Sequence, residues 1–301
     1  MSAANVYTPE RYDERVWHLA LGLEPLSATT GRRMSGGTDV RLERHPAPLH
    51  RWRQWRAGET LTAVLPSMSR HSTGRFAGRY DEAVPTVADL RVVDSGRPGA
   101  VGQGRRFVPR RVRVTIADEA TVLAAEADPA TPPHPLWRRV FPIALFPGAA
   151  ADLPAGSTVL RGSVVRTVDP VTGAVEPVRW CRVRARDGGD DLGWAHGDDR
   201  GEFVLVVASP PGSLLVPPDP LTIQLTVGAT LPPPVPDPTD PLRSQVDPLW
   251  DLPVEPLTAA ANPAEEVSLT GRSFLAEHTE FGPFPVSLPL GRESSMEIAL
   301  T

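Results

Sequence analysis

The chain has 301 residues, of which 41% are hydrophobic and 22% charged, with a net charge of −5. This composition supports a packed core and excludes wholesale disorder. Its 35 prolines exclude an α-rich fold, because proline breaks helices and central strands, and its single cysteine excludes an internal disulfide.

All 31 basic residues are arginine. GC-rich codon usage accounts for this; it also makes every cation a planar guanidinium suited to bidentate carboxylate pairing. Residues 1–113 carry 19 Arg against 11 acids, and residues 114–301 carry 12 Arg against 25 acids. Such halves can attract one another or present opposite faces to neighbouring subunits. The Arg residues are scattered and no nucleic-acid motif accompanies them, so no nucleic-acid partner is expected. No apolar run is long enough to span a bilayer, and MSAANVYTPERYDE lacks a signal peptide's apolar stretch, so a cytoplasmic protein with no membrane span is expected.

Residues 1–48 read as an N-terminal helix and arm. In TPERYDERVWHLALGL (8–23), Thr8 suits an N-cap and Pro9 the first helical position, and Val16, Leu19, Ala20 and Leu23 share a face. Residues 24–48, rich in Gly, Ser, Thr and Pro, read as an arm. Residues 49–155 form a β-rich domain with strand-like runs at 60–66, 88–94 and 110–116. In RRVRVTI, Val112, Val114 and Ile116 point one way and Arg111, Arg113 and Thr115 the other, the pattern of a half-exposed strand. A short helix is expected over 118–129, and WRRVFPIALFPG (137–148), interrupted by two prolines, packs irregularly or along an edge.

Residues 156–230 form the next domain, and 156–208 is its most regular region. STVLRGSVVRTV, EPVRWCRVRAR, LGWAH and GEFVLVV are separated by the turns DPVTG, DGGDD and GDDRG, and LTIQLTV adds a fifth strand. The spacing suits an antiparallel sandwich. Residues 231–301 read as a Pro-rich strap ending in a hairpin around LGRESS. The expected fold is mainly β: an antiparallel β-sandwich, a second β-rich N-terminal region, one short N-terminal helix and Pro-rich extended arms.

WAHGDDRGEF (194–203) concentrates His196, Asp198, Asp199 and Glu202. As a metal site it lacks the D-x-[DN]-x-[DN]-G pattern and further His or Cys, although a calcium-like ion on the Asp pair stays an alternative. As a paired-carboxylate site nothing fixes a separation. Turn chemistry is the preferred reading: Asp bonds its own backbone and Gly201 supplies positive φ. Cys181 shares its parity with Val183 and Ala185, so it reads as a buried structural thiol, not a partner for His196. GRPGAVGQGRRF (96–107) has no helix behind it and reads as a hairpin tip. HRWRQWR (50–56) sets Trp52 and Trp55 among Arg51, Arg53 and Arg56; stacking on single-stranded nucleic acid or a protein interface would both use it, and the interface is preferred. Trp52, Arg53, Trp55, Arg56 and Trp250 are the candidate interface residues. No catalytic, cofactor-binding or metal residue is assigned, and the chain is expected not to be an enzyme.

The stretch 160–207 resembles the carboxypeptidase regulatory-like domain, a prealbumin-like β-sandwich. The likeness rests on Gly162-Ser163-Val164, on Pro177-Val178 leading to Val183, and on Asp198-Asp199-Arg200-Gly201-Glu202-Phe203-Val204-Leu205; it covers about 50 residues. Trp180-Cys181 departs from the small residues usual there. The resemblance implies a non-catalytic accessory or structural module, with Gly162, Pro177, Asp198, Asp199, Gly201 and Phe203 as its turn and packing residues. FVPRRVRVTI, LFPGAAADLPAGSTVLRGSVV, PVRWCRV, HGDDRGEFVLVV and DPLWDLPVEP, in that order, resemble proteins encoded with phage-tail-like contractile injection systems. That likeness implies a cap or tail-terminator-end component, hexameric in place, with sheath, tube or tail-terminator subunits as partners. The rivals are a carbohydrate- or cell-surface-binding sandwich and a hydrolase using Asp198, Asp199 and Glu202.

Overall fold

A computed structural model describes residues 18–34, 36–44, 51–53, 62–64, 68–80, 87–95, 105–127, 139–208, 220–235, 249–257 and 267–300. The chain is mainly β, and its strands form two sandwiches.

In the first sandwich, β1 (Leu19–Ser27) pairs in parallel with β9 (Val140–Leu145) and antiparallel with β6 (Phe76–Arg79), beyond which lies β5 (Ser69–Arg70). The facing sheet runs β2 (Thr38–Arg44), β7 (Val87–Asp94), β8 (Arg110–Thr115) and β16 (Val254–Leu257), the last pair parallel. Leu23, Val40, Leu90, Val112 and Ile143 meet between the sheets. α1 (Glu119–Ala127) adds Val122 to this core, and Asp118 caps it by accepting from Thr121 N at 2.8 Å. β3 (Arg51–Arg53) and β4 (Thr62–Val64) pair only with each other among the described residues.

Two expectations are corrected here, and for the 137–148 segment the edge alternative is the one observed. Of the proposed helix at 8–23, residues 8–17 lie outside the described residues, and Leu19–Leu23 is strand. LALGL lies between β6 and β9 and is buried on both faces, so its apolar run is continuous and mimics helical spacing. The supposed arm at 24–48 contributes the end of β1 and all of β2. The 137–148 segment holds a regular edge strand. Gly22 N donates to Arg139 O and Ala28 N to Leu145 O, so odd-numbered residues of β9 face β1. Pro142 therefore turns its missing donor to the open edge.

In the second sandwich one sheet runs β13 (Asp190–His196), β12 (Arg182–Asp187), β15 (Leu221–Ala229) and β17 (Thr279–Leu288). The other is built on β10 (Thr158–Asp169), which pairs with β14 (Glu202–Val207), β11 (Ala174–Pro177) and, in parallel, β18 (Glu293–Leu300). Leu160, Val164, Phe203, Leu205 and Ile298 pack against Cys181, Val183, Ile223, Leu225 and Leu288. EPVRWCRVRAR is two strands, not one: the chain breaks over Val178–Cys181, with Trp180 at φ 56°. The expected terminal hairpin is also corrected, because β17 and β18 join different sheets across the turn at 289–292.

The Pro-rich strap is described in two parts. Thr230–Val235 follows β15, whereas Leu249–Leu257 crosses to the first sandwich and ends as β16. α2 (Val267–Thr270) then packs by β9 and β16 before the chain returns to β17.

Candidate functional site

His196 ends β13 and Glu202 begins β14, with Gly197–Gly201 between them. Asp198 is buried, and its Oδ1 accepts from Arg200 N at 2.9 Å and Glu202 N at 3.1 Å. Its carbonyl accepts from Gly201 N at 3.0 Å and Trp180 N at 3.1 Å. Gly201 has φ 71°, and a Cβ there would lie 2.5 Å from Val164 O. Asp199 offers its carbonyl to Arg179 Nη1 at 3.3 Å.

The four residues do not converge on a common point for substrate or metal. Asp198 Oδ2 and Glu202, at 2.6 Å, both accept from Arg105 Nη2. Arg105 comes from the loop before β8, so the turn grips the first sandwich. The His196 ring stacks on Phe146 with centroids 4.0 Å apart, and Nε2–H donates to Gly271 O at 2.8 Å. Burial and the nearby Arg182 hold its pKa well below the ordinary imidazole value, so it is neutral at pH 7. Cys181 is fully buried, and burial pushes its thiol up to about 12. A thiol so held is no nucleophile at neutral pH. Among the described residues, no group of three His, Cys, Asp or Glu is placed to hold a metal ion.

Gly162 lies opposite Phe203 in the β10–β14 ladder, and a Cβ at Gly162 would meet the Phe203 ring at 2.5 Å. Pro177 is exposed at the end of β11. Trp250 is half-buried in the turn that opens the described strap. Trp52 and Arg53 lie on β3, and Trp55 and Arg56 fall outside the described residues.

Sequence reading missed the seam between the sandwiches. Glu255 on β16 takes Arg110 from β8 in a bidentate pair, Nε–Oε1 at 2.9 Å and Nη2–Oε2 at 2.7 Å. Arg182 from β12 reaches the same Oε2 at 2.6 Å. Arg110 is 1% exposed, Arg182 3% and Glu255 4%. Ala144 O and Leu269 O accept from Arg110 Nη1, and Ser273 O accepts from Arg182 Nη1. Burial alone would raise the Glu255 pKa; the two guanidinium groups outweigh it and hold the carboxyl well below its ordinary value. Beside this cluster, Asp251 takes a bidentate pair from Arg179 and accepts from Trp180 Nε1 at 2.8 Å. Val93, Val108, Trp180, Leu249 and Leu252 close the seam with apolar contact. The signals available in sequence were the opposite charge balance of the two parts of the chain and the alternation of acids with Leu and Pro through DPLWDLPVEP.

A cleft of about 360 Å3 opens where the sandwiches meet, lined by Thr29, Phe146, Asp191, Leu192, Trp194 and Arg272. Arg184 lies over the Trp194 ring at 5.3 Å, and Phe274 packs against it at 5.1 Å.

Among the described residues, no helix is long and apolar enough to cross a membrane. No protein-family model and no curated protein matches the chain. Solved structures similar to it at low level include a Bacillus and a Streptococcus protein. The Bacillus anthracis TIE protein has 7% identity and a TM-score of 0.21, with 93% of this chain and 33% of that one covered. GBS52, the minor pilin of Streptococcus agalactiae, has 8% identity and a TM-score of 0.21, with 94% of each chain covered. This chain thus spans a third of the TIE protein's length, and at such TM-scores neither likeness carries an argument about fold or function.

Proposed function

We propose that this protein is a non-enzymatic structural component of a phage-tail-like contractile injection particle, assembled in the cytoplasm at its cap or tail-terminator end. The observation that carries this reading is the seam. Two sandwiches are locked through a fully buried Arg–Glu–Arg cluster, and Asp198, Glu202 and His196 of WAHGDDRGEF are engaged in turn and seam contacts. A rigid bracket of this kind suits a structural subunit that contacts sheath, tube or terminator proteins on several faces. The carboxypeptidase regulatory-like resemblance fits the second sandwich in the same role. Mass spectrometry of purified particles is expected to find the chain at fixed stoichiometry. Particles of normal length and full function from a deletion strain would overturn the reading.

A second reading, carbohydrate or cell-surface binding, is favoured by the cleft beside Trp194, which has the size and mixed aromatic-polar lining of a small-ligand site. Glycan-array binding that disappears in Trp194→Ala would support it; an array blank for the unaltered chain would remove it.

A further inference from the structure

The second sandwich treats its two neighbouring edges differently. β17 carries Pro283 and Pro285 at alternate positions and an irregularity opposite Leu225–Val227. Both features spoil an edge as a template for a further strand. β18 has neither. Arg292 O accepts from Val159 N at 3.0 Å, which fixes the phase of the parallel ladder. The backbone groups of Ser294, Met296 and Ile298 then face β10, and those of Glu293, Ser295, Glu297 and Ala299 face outward. No strand pairs with that outer edge among the described residues. The side chains of these four residues are exposed, and the strand ESSMEIAL carries two Glu and no cation. Glu293 is paired with Arg161 at 2.9 Å, which leaves Glu297 as the acid toward the strand's far end.

The same chain carries the complement. The β3–β4 ribbon joins neither sandwich sheet among the described residues, and a two-stranded ribbon is marginal in water by itself. The HRWRQWR segment around β3 holds three Arg and no acid. We propose that the outer edge of β18 receives β3 from a second copy of this chain, which makes the ribbon a continuation of the second sandwich's sheet. Main-chain hydrogen bonds would supply affinity, and Arg51 and Arg53 near Glu297 would bias register. The contact joins the amino-terminal half of one copy to the carboxy-terminal half of the next. Repeated, such a head-to-tail contact closes a ring or grows a filament. The inference stands apart from the particle reading, because it concerns the purified chain alone.

Sedimentation velocity of the full chain tests it. Concentration-dependent oligomers are expected at low salt, weakened about ten-fold at high salt where surface charge is screened. Ser295→Pro and Glu297→Pro each remove one outward donor and leave the ladder to β10 intact. Each is expected to weaken association about ten-fold or more with an unchanged circular-dichroism spectrum. Should a proline variant misfold, Glu297→Arg decides: it is expected to weaken association alone and to restore it when mixed with an Arg51→Glu/Arg53→Glu chain. A chain that stays monomeric at every concentration overturns the proposal. So does association that survives the folded proline variants, or Glu297→Arg, unchanged.

Discussion

Gly162 and Phe203 face each other across β10 and β14, and the missing Cβ is the room that the ring occupies. Gly162→Ala forces the ring into neighbours already packed to interior density, so a loss of about 1–3 kcal/mol is expected in urea denaturation. Asp198 is a second single-residue test. Its carboxylate serves two turn amides and Arg105. Asp198→Ala orphans all three and is expected to cost about 2 kcal/mol, whereas Asp198→Asn retains an acceptor for the amides and is expected to cost less. Equal losses for the two variants would remove the turn bonds as the cause. The turn itself was legible in sequence, because Asp at 198 and Gly at 201 are local chemistry. Arg105, 93 residues away, was not, since no local pattern marks one Arg among 31 as the partner.

At the level of strands, what could be read depended on having one buried and one solvated face. β8 and β12 alternated and gave their parity: Val112, Val114, Val183 and Ala185 are core. β1 is covered on both faces and therefore resembled a helix. Arg182 lay on the side that alternation assigns to solvent, yet it is buried, because the first sandwich and the strap cover that side. Alternation reports one sheet's own core and is silent about what docks on its back. The strap strand β16 is where this matters energetically. Glu255→Gln leaves Arg110 and Arg182 buried together without a counter-charge, and a loss of about 3–5 kcal/mol is expected in chemical denaturation. A Glu255→Gln chain as stable as the original would show that the cluster does not hold the seam.

Across the molecule, the seam makes stability depend on pH. Burial and Arg182 hold His196 well below its ordinary pKa and bring His278 down to about 4. An unfolded chain protonates both near pH 6.5 and the folded chain does not, so their contribution is complete above that pH and is lost as pH falls toward 4. Glu255, whose folded pKa is depressed, keeps its contribution above the ordinary carboxyl value and loses it at more acid pH. The Tm is therefore expected to be flat between about pH 7 and 8 and to fall from about pH 6.5 downward. It is expected to fall again above about pH 8.5, where the Cys181 thiol ionises in the unfolded chain and not in the fold. His196→Gln preserves a donor for Gly271 O and removes the titration. Its stability is expected to vary less between pH 6.5 and 4, by up to about 1.4 kcal/mol per pH unit. An identical pH profile for that variant would place the dependence elsewhere.

The return of β16 to the first sandwich also sets an order of events during synthesis. A ribosome that has made residues 1–230 has released every strand of the first sandwich among the described residues except Val254–Leu257, and Arg110 still lacks Glu255. The amino-terminal sandwich therefore cannot reach its final state as an independent early unit. It waits, with one sheet edge open, until the second sandwich has largely emerged and the strap has crossed back. Domain-by-domain folding from the amino terminus, the usual course for tandem domains, would leave the first sandwich without its β16 edge strand. Its two halves mature together, and a chain truncated before the strap is expected to keep the first sandwich incomplete and its edge available for wrong pairing.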